Sequence, residues 1–157
     1  MTDATKMGLG ALIGTRRIFL IGMIIWTLLQ LSRVVAIPLI NEIDAGGDSE
    51  AWRYPAYLDL FAAVFAIPLV WAFFAKRGLI TWACGIMYWA ISITDHVGNF
   101  VTTANVAPPS IAEGMSNPYL PAAIMTVFDV IFLVLMFVPK FRRLFFETGE
   151  TQAEINE

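Results

Sequence analysis

Apolar residues fall in four long runs, Ile18–Ile40, Tyr57–Phe74, Leu79–Val101 and Tyr119–Val138. Each is roughly 20 residues, the length that carries a helix across the hydrocarbon core of a bilayer. A barrel strand would alternate apolar and polar positions, and none of the runs does. A segment in lipid must satisfy its own backbone N–H and C=O groups, so the runs predict helices. The expected fold is all-α, a four-helix transmembrane bundle forming one integral membrane domain over residues 1–157. The turn Lys76–Arg77–Gly78 is short enough to make the second and third runs a tight antiparallel hairpin. The stretch Ala107-Pro108-Pro109-Ser110 predicts a loop stiffened by proline. The polar residues of the first two runs do not recur in the last two, which argues against an inverted-repeat carrier.

Charge gives the bundle an orientation. Eight of the ten Lys and Arg residues sit in three clusters: Lys6, Arg16 and Arg17; Lys76 and Arg77; Lys140, Arg142 and Arg143. The loop 41–55 instead carries Glu42, Asp44, Asp48 and Glu50 against Arg53 alone. The loop 102–118 has no basic residue. The positive-inside rule therefore predicts both termini in the cytoplasm and these two loops on the other side. Trp52, Tyr54 and Tyr57 fall where an outer interfacial belt is expected. The first run is longer than the apolar stretch of a signal peptide and is expected to remain as a span.

Composition narrows the function classes. The chain is 58% hydrophobic, more than a soluble domain of 157 residues can cover with polar surface. The net charge of −3 says little about nucleic acid, but no basic patch is expected to face an aqueous groove, so no nucleic acid is expected as a partner. Nucleophile, phosphate-loop and dinucleotide motifs are absent, and no cofactor is expected. Cys84 is the single cysteine, so no internal disulfide can form. His96 is the single histidine, which makes a transition-metal site in Asp95-His96-x-x-Asn99 a poor expectation.

The informative residues are the polar ones inside the runs. Arg33, Asp59, Asp95 and Asp129 lie one per run, and a charge at membrane depth is costly unless paired or hydrated. A rise of about 1.5 Å per residue puts Arg33 and Asp95 at one level, each about 24 Å from the cytoplasmic end of its run. Asp59 is near the outer end of its run. Asp129 is about 15 Å into the last one, near the midplane. The four are expected to converge on an internal cavity in the outer half of the bundle. Asp95 and Asn99 share a helix face, while His96 points about 100° away. Gln30, one turn before Arg33, can reach the same region. One arginine cannot neutralise three aspartates, so the remainder calls for water, a proton or a cation. In the second run Asp59, Ala62, Ala63 and Ala66 share a face, which suits close helix packing or room for a ligand.

Several stretches resemble the EXPERA superfamily, the group of emopamil-binding protein and the sigma-2 receptor. The resemblance covers residues 53–145. "DLFAAVFAIPLVWAFFAKRG" is similar to the family's acid-then-proline helix, with Asp59 and Pro68 in those places. "YWAISITDHVGNF" is similar to its acid-bearing third helix. "NPYLPAAIMTVFDVIFLVLM" is similar to its proline-led last helix, with Asp129 where the isomerase branch has Asn and Phe132 where it has Trp. The first helix departs, offering Gln30 and Arg33 where that branch has His and Glu.

The resemblance implies a sterol-like or other lipid ligand in a polar intramembrane pocket. In the isomerase branch it implies proton transfer to and from a ring double bond through a carbocation. Asp59 and Asp95 would then be the catalytic acids, with Gln30, Arg33, His96, Asn99, Asp129 and Phe132 lining the site. Arg33 adds positive charge where the cation would form, which favours binding over isomerisation. The competing expectation is a non-catalytic accessory subunit, in a homo-oligomer or a larger membrane complex, whose buried charges hold helices together. A proton-coupled carrier is a third. A cavity lined by the three aspartates favours the first; a dry, paired core with an apolar outer face favours the second.

Overall fold

A computed structural model describes the backbone of residues 3–75 and 78–146, with side chains from residue 14 onward in those ranges. The described residues are all-helical, without strands. Helix α1 covers Asp3–Leu29, α2 Ala36–Asp44, α3 Arg53–Ala75, α4 Leu79–Asn105, α5 Leu120–Phe137 and α6 Pro139–Phe146. A 3-10 stretch, Gln30–Val35, joins α1 to α2, and single 3-10 turns occupy Glu50–Trp52 and Ser110–Ala112.

Three helical stretches are long and apolar enough to cross a membrane: Gly14–Asp44, Glu50–Ala75 and Leu120–Phe137. Helix α4 has the length, at 27 residues. It is more polar because it carries Ser92, Asp95, His96, Asn99 and several threonines. The observed helices differ from the predicted runs at their ends. The second starts earlier, at Arg53, and the third continues to Asn105. The first is not one continuous α-helix, because it tightens to 3-10 geometry at Gln30.

Local sequence explains the breaks. Pro38 is the third residue of α2, where a helix needs no backbone N–H donor. Helix α2 ends in paired reverse hydrogen bonds, Gly47 N to Glu42 O at 2.8 Å and Gly46 N to Ile43 O at 3.0 Å. Gly46 supplies the positive φ of 78° that this ending requires. Helix α5 ends because Val138 precedes Pro139 and is held extended. The same proline then opens α6, where its missing N–H costs nothing.

The main core brings together Phe19, Met23 and Ile24 of α1, Ala62, Ala66, Leu69 and Phe73 of α3, Tyr88 and Trp89 of α4, Met136 of α5 and Phe145 of α6. The alanine face of α3 is used for close packing, and Tyr88 crosses to donate to the Ala62 carbonyl at 2.9 Å. Gly85 shows how tight the far end is: a Cβ there would lie 2.7 Å from Met136 Cε and 3.3 Å from Phe73 Cζ. A smaller core holds Ala36, Leu39, Ile43, Trp52 and Ala56. Trp52 is 4% exposed, so it is a core residue and not part of a belt. Its indole N–H donates to the Ala107 carbonyl at 2.9 Å, an acceptor that lies across the bundle end. Tyr54 and Tyr57 are exposed.

Candidate functional site

The 3-10 stretch builds the centre of the site. Three residues per turn place Gln30 and Arg33 one above the other on a single face. That face continues the buried stripe of Met23 and Thr27 and runs on to Ala36 and Leu39. Two long polar side chains thereby enter the bundle side by side.

Arg33 is 5% exposed and spreads its guanidinium over three helical segments. Nε donates to Asp59 Oδ1 of α3 at 2.5 Å. One terminal nitrogen donates to Asp95 Oδ2 of α4. The other donates to Ser92 Oγ of α4 at 2.8 Å and to Gln30 Oε1 at 3.4 Å. Asn99 Nδ2 donates to the second oxygen of Asp95 at 3.3 Å. The planar fork of arginine suits this multiple pairing in a way a lysine ammonium could not.

A second cluster surrounds Asp129 of α5, which is fully buried. Its Oδ1 accepts from Trp26 Nε1 at 2.7 Å and from Gln30 Nε2 at 3.4 Å. Its Oδ2 lies 3.2 Å from His96 Nε2, an ion-pair distance without hydrogen-bond alignment. His96 Nε2 is also 3.5 Å from Ser92 Oγ. The Gln30 amide joins the two clusters, accepting from Arg33 with its oxygen and donating to Asp129 with its nitrogen. The network thus runs Asp59, Arg33, Gln30, Asp129, His96 and crosses from α3 through the 3-10 stretch to α5 and α4.

Aromatic rings close off this network. Phe132 of α5 stands 5.8 Å from Trp89 and 6.5 Å from Trp26, centroid to centroid. Phe128 lies 4.5 Å from Trp26, tilted by 32°. Trp26 and Ser92 are members that the sequence reading left out. Helical spacing could have found both, since Trp26 is four residues before Gln30, and Ser92 is three before Asp95 and four before His96.

The expected acid-lined cavity does not take that form. Asp95 is 1% exposed with both oxygens hydrogen-bonded, and Asp129 is 0% exposed with Oδ1 hydrogen-bonded and Oδ2 without a hydrogen-bond partner. Asp59 is the most open of the three, at 25%. The clefts that do appear are apolar. One of about 350 Å³ lies between α3 and α4, walled by residues such as Phe61, Phe65, Pro68, Cys84, Met87 and Tyr88. A second of about 360 Å³ adjoins it at Phe61 and Ile91 and reaches Tyr54 and Thr94. No carboxylate lines either cleft. Among the described residues no group of three or more His, Cys, Asp or Glu could hold a metal ion.

The loops 41–55 and 102–118 are tied to each other. Asp48 accepts from Ser110 Oγ at 2.6 Å and from Ser110 N at 3.1 Å. Arg53 donates to Asp44 at 2.6 Å and to both oxygens of Glu50 at 2.6 and 2.8 Å. Those bonds from Arg53 hold the Glu50 carboxyl below its ordinary pKa. In return they push the Arg53 guanidinium up.

Comparison of the chain with protein-family models, with curated proteins and with solved structures finds no match.

Proposed function

We propose that this chain is a four-span integral membrane protein with both termini cytoplasmic, acting as a non-catalytic component of a larger membrane assembly. The observation that carries this reading is the engagement of the buried charges. Arg33 is paired with both Asp59 and Asp95, and Asp129 is held by Trp26, Gln30 and His96. An arrangement of this kind links helices in a medium that supplies little hydrophobic drive between them. The side chains turned outward are largely apolar, as on α5, where Ile124, Val127, Ile131 and Val134 are exposed. The polarity of α4 fits a fourth span, because its acidic face turns inward onto Arg33.

A second reading is favoured by the clefts between α3 and α4. Their apolar, aromatic walls suit the tail of a lipid or sterol-like molecule. The EXPERA resemblance would then concern that surface, with Asp59 as the nearest accessible acid. Thermal unfolding in detergent separates the two, using wild type, Asp59→Asn and Asp95→Asn with and without a cationic sterol mimic. The non-catalytic reading expects both variants to melt lower and the mimic to have no effect on any of the three proteins. A wild-type shift on adding the mimic, lost in Asp59→Asn, would instead support ligand binding. The positive test of assembly is crosslinking in intact cells, which should trap one defined neighbour at a fixed stoichiometry.

A further inference from the structure

We infer that α6, with the adjoining end of α1, forms a binding surface for the headgroups of anionic phospholipids, centred on Arg142. Helix α6 is amphipathic. Phe145 is 3% exposed and packs in the main core, with Phe141 and Leu144 half-buried beside it. Arg142 and Arg143 are exposed on the other side. The helix follows one residue after the end of α5, so it lies where a membrane-crossing helix leaves the hydrocarbon. An amphipathic basic helix in that place rests in the headgroup layer.

Arg142 is held more firmly than a free surface arginine. Its guanidinium carbon lies 5.1 Å from the Trp82 ring centroid and 5.3 Å from that of Phe146. Trp82 is itself fixed, its indole N–H donating to the Met136 carbonyl at 3.0 Å. The two rings hold the guanidinium by cation–π contact, and its N–H donors are the groups that match a phosphate. Further cations gather nearby. Lys140 is on the same helix, and Phe141 packs on Phe19 at 4.3 Å, which brings the α1 segment carrying Arg17 alongside.

Among the described residues the acids are elsewhere. Those with described side chains are Glu42, Asp44, Asp48, Glu50, Asp59, Asp95, Glu113 and Asp129, and all lie in the interior or in the other two loops. Among the described residues no carboxylate pairs with Lys140, Arg142 or Arg143. The sequence after α6 carries Glu147, Glu150, Glu154 and Glu157. A headgroup phosphate is favoured because the surface sits at the end of a spanning helix, where such phosphates are concentrated.

The test is thermal unfolding of the full chain in neutral detergent, titrated with phosphatidylglycerol, with phosphatidylcholine of the same acyl chains, or with inorganic phosphate. Phosphatidylglycerol should raise Tm saturably, and less so at high salt. Phosphatidylcholine and inorganic phosphate should not. Arg142→Gln should lose most of the shift, and Arg142→Lys should keep an intermediate part. Arg143→Gln should lose part of it, and it remains informative if Arg142→Gln fails to fold, since Arg143 is exposed and has no ring stacked on it. Equal shifts from the two lipids, a full shift from inorganic phosphate, or an unchanged phosphatidylglycerol shift in the Gln variants would each overturn the inference. It rests on the membrane-spanning reading and not on the non-catalytic role. Asp95→Asn, which probes that role, should keep the phosphatidylglycerol shift.

Discussion

Arg33 donates to Asp95 from the 3-10 stretch that interrupts the first long helix, and both residues are closed off, at 5% and 1% exposure. The interruption and the pair belong together. A 3-10 turn eclipses Gln30 and Arg33, so the guanidinium and its supporting amide enter the bundle on one face.

Removing one partner of such a pair leaves the other buried and uncompensated, at a cost of about 3–5 kcal/mol. Arg33→Met alone should therefore lower stability strongly. Adding Asp95→Asn and Asp59→Asn to it should recover a substantial part, since the orphaned carboxylates are removed. Denaturant or thermal unfolding of the single, double and triple variants measures this. Strictly additive losses would show that the three side chains do not form one unit.

Gln30 is expected to matter for its geometry and not for its charge. Its amide oxygen accepts from Arg33 and its nitrogen donates to Asp129. Gln30→Leu removes both contacts and should cost about 1–3 kcal/mol, the usual effect of leaving buried polar groups short of a partner. Gln30→Glu keeps the shape but adds a carboxylate next to Asp129, and should be worse than leucine at neutral pH. A glutamate variant more stable than the leucine variant would contradict the bridge.

Much of this was legible in the sequence, and the reasons show where it stopped. Apolar runs located α3, α4 and α5 to within a few residues, whereas α1 begins at Asp3, well before the first run. That Arg33 needs a carboxylate partner follows from the cost of burying an arginine alone, but its pairing with Asp59 and Asp95 together does not. The filled interior was not legible. A linear pattern tells how polar residues are spread along each helix, but not whether Trp26 and Gln30 reach across to Asp129. The helical form of α6 was also missed, because eight residues with three cations carry too little pattern to stand out from a basic tail. Trp52 was assigned to a belt by its position, whereas the tie between the outer loops pulls it inside.

That last correction is testable. Trp52 fills the smaller core, and Trp52→Ala should cost about 3–5 kcal/mol, as large-to-small changes of buried aromatics do. Tyr54→Ala, at an exposed position at the start of α3, should cost far less. Unfolding of the two variants under the same conditions checks the contrast. Similar small losses would return Trp52 to the interface.

The Glu50–Arg53 pair sets a pH dependence of known sign. The bonds from Arg53 lower the Glu50 pKa in the folded protein relative to 4.5. The pair therefore contributes above the ordinary carboxylate range, and its contribution is lost as pH falls through the lowered value. Both side chains are in contact with solvent, so the effect is small and salt-screened. Wild type should lose slightly more stability than Glu50→Gln on acidification from neutral pH to below 4.5. Parallel pH curves for the two proteins would remove the pair from consideration.

The orientation of the bundle can be read from its outer loops. Ser49 and Ser110 are exposed, and they lie in the two loops that carry an acidic excess or no basic residue. With Cys84 replaced by Ser, a single cysteine at either position should react with a membrane-impermeant maleimide added to intact cells. Ser110 donates to Asp48, so Ser110→Cys weakens one exposed hydrogen bond but leaves the helices around it unchanged. A cysteine placed at Thr15, at the basic end of α1, should react only after the membrane is opened. The contrast follows from the segregation of charge: Arg16, Arg17, Lys140, Arg142 and Arg143 gather at the end opposite Asp44, Asp48 and Glu50. Labelling of Thr15→Cys in sealed cells, together with protection of Ser49→Cys and Ser110→Cys, would invert the protein. It would also place the basic surface of α6 in the other leaflet.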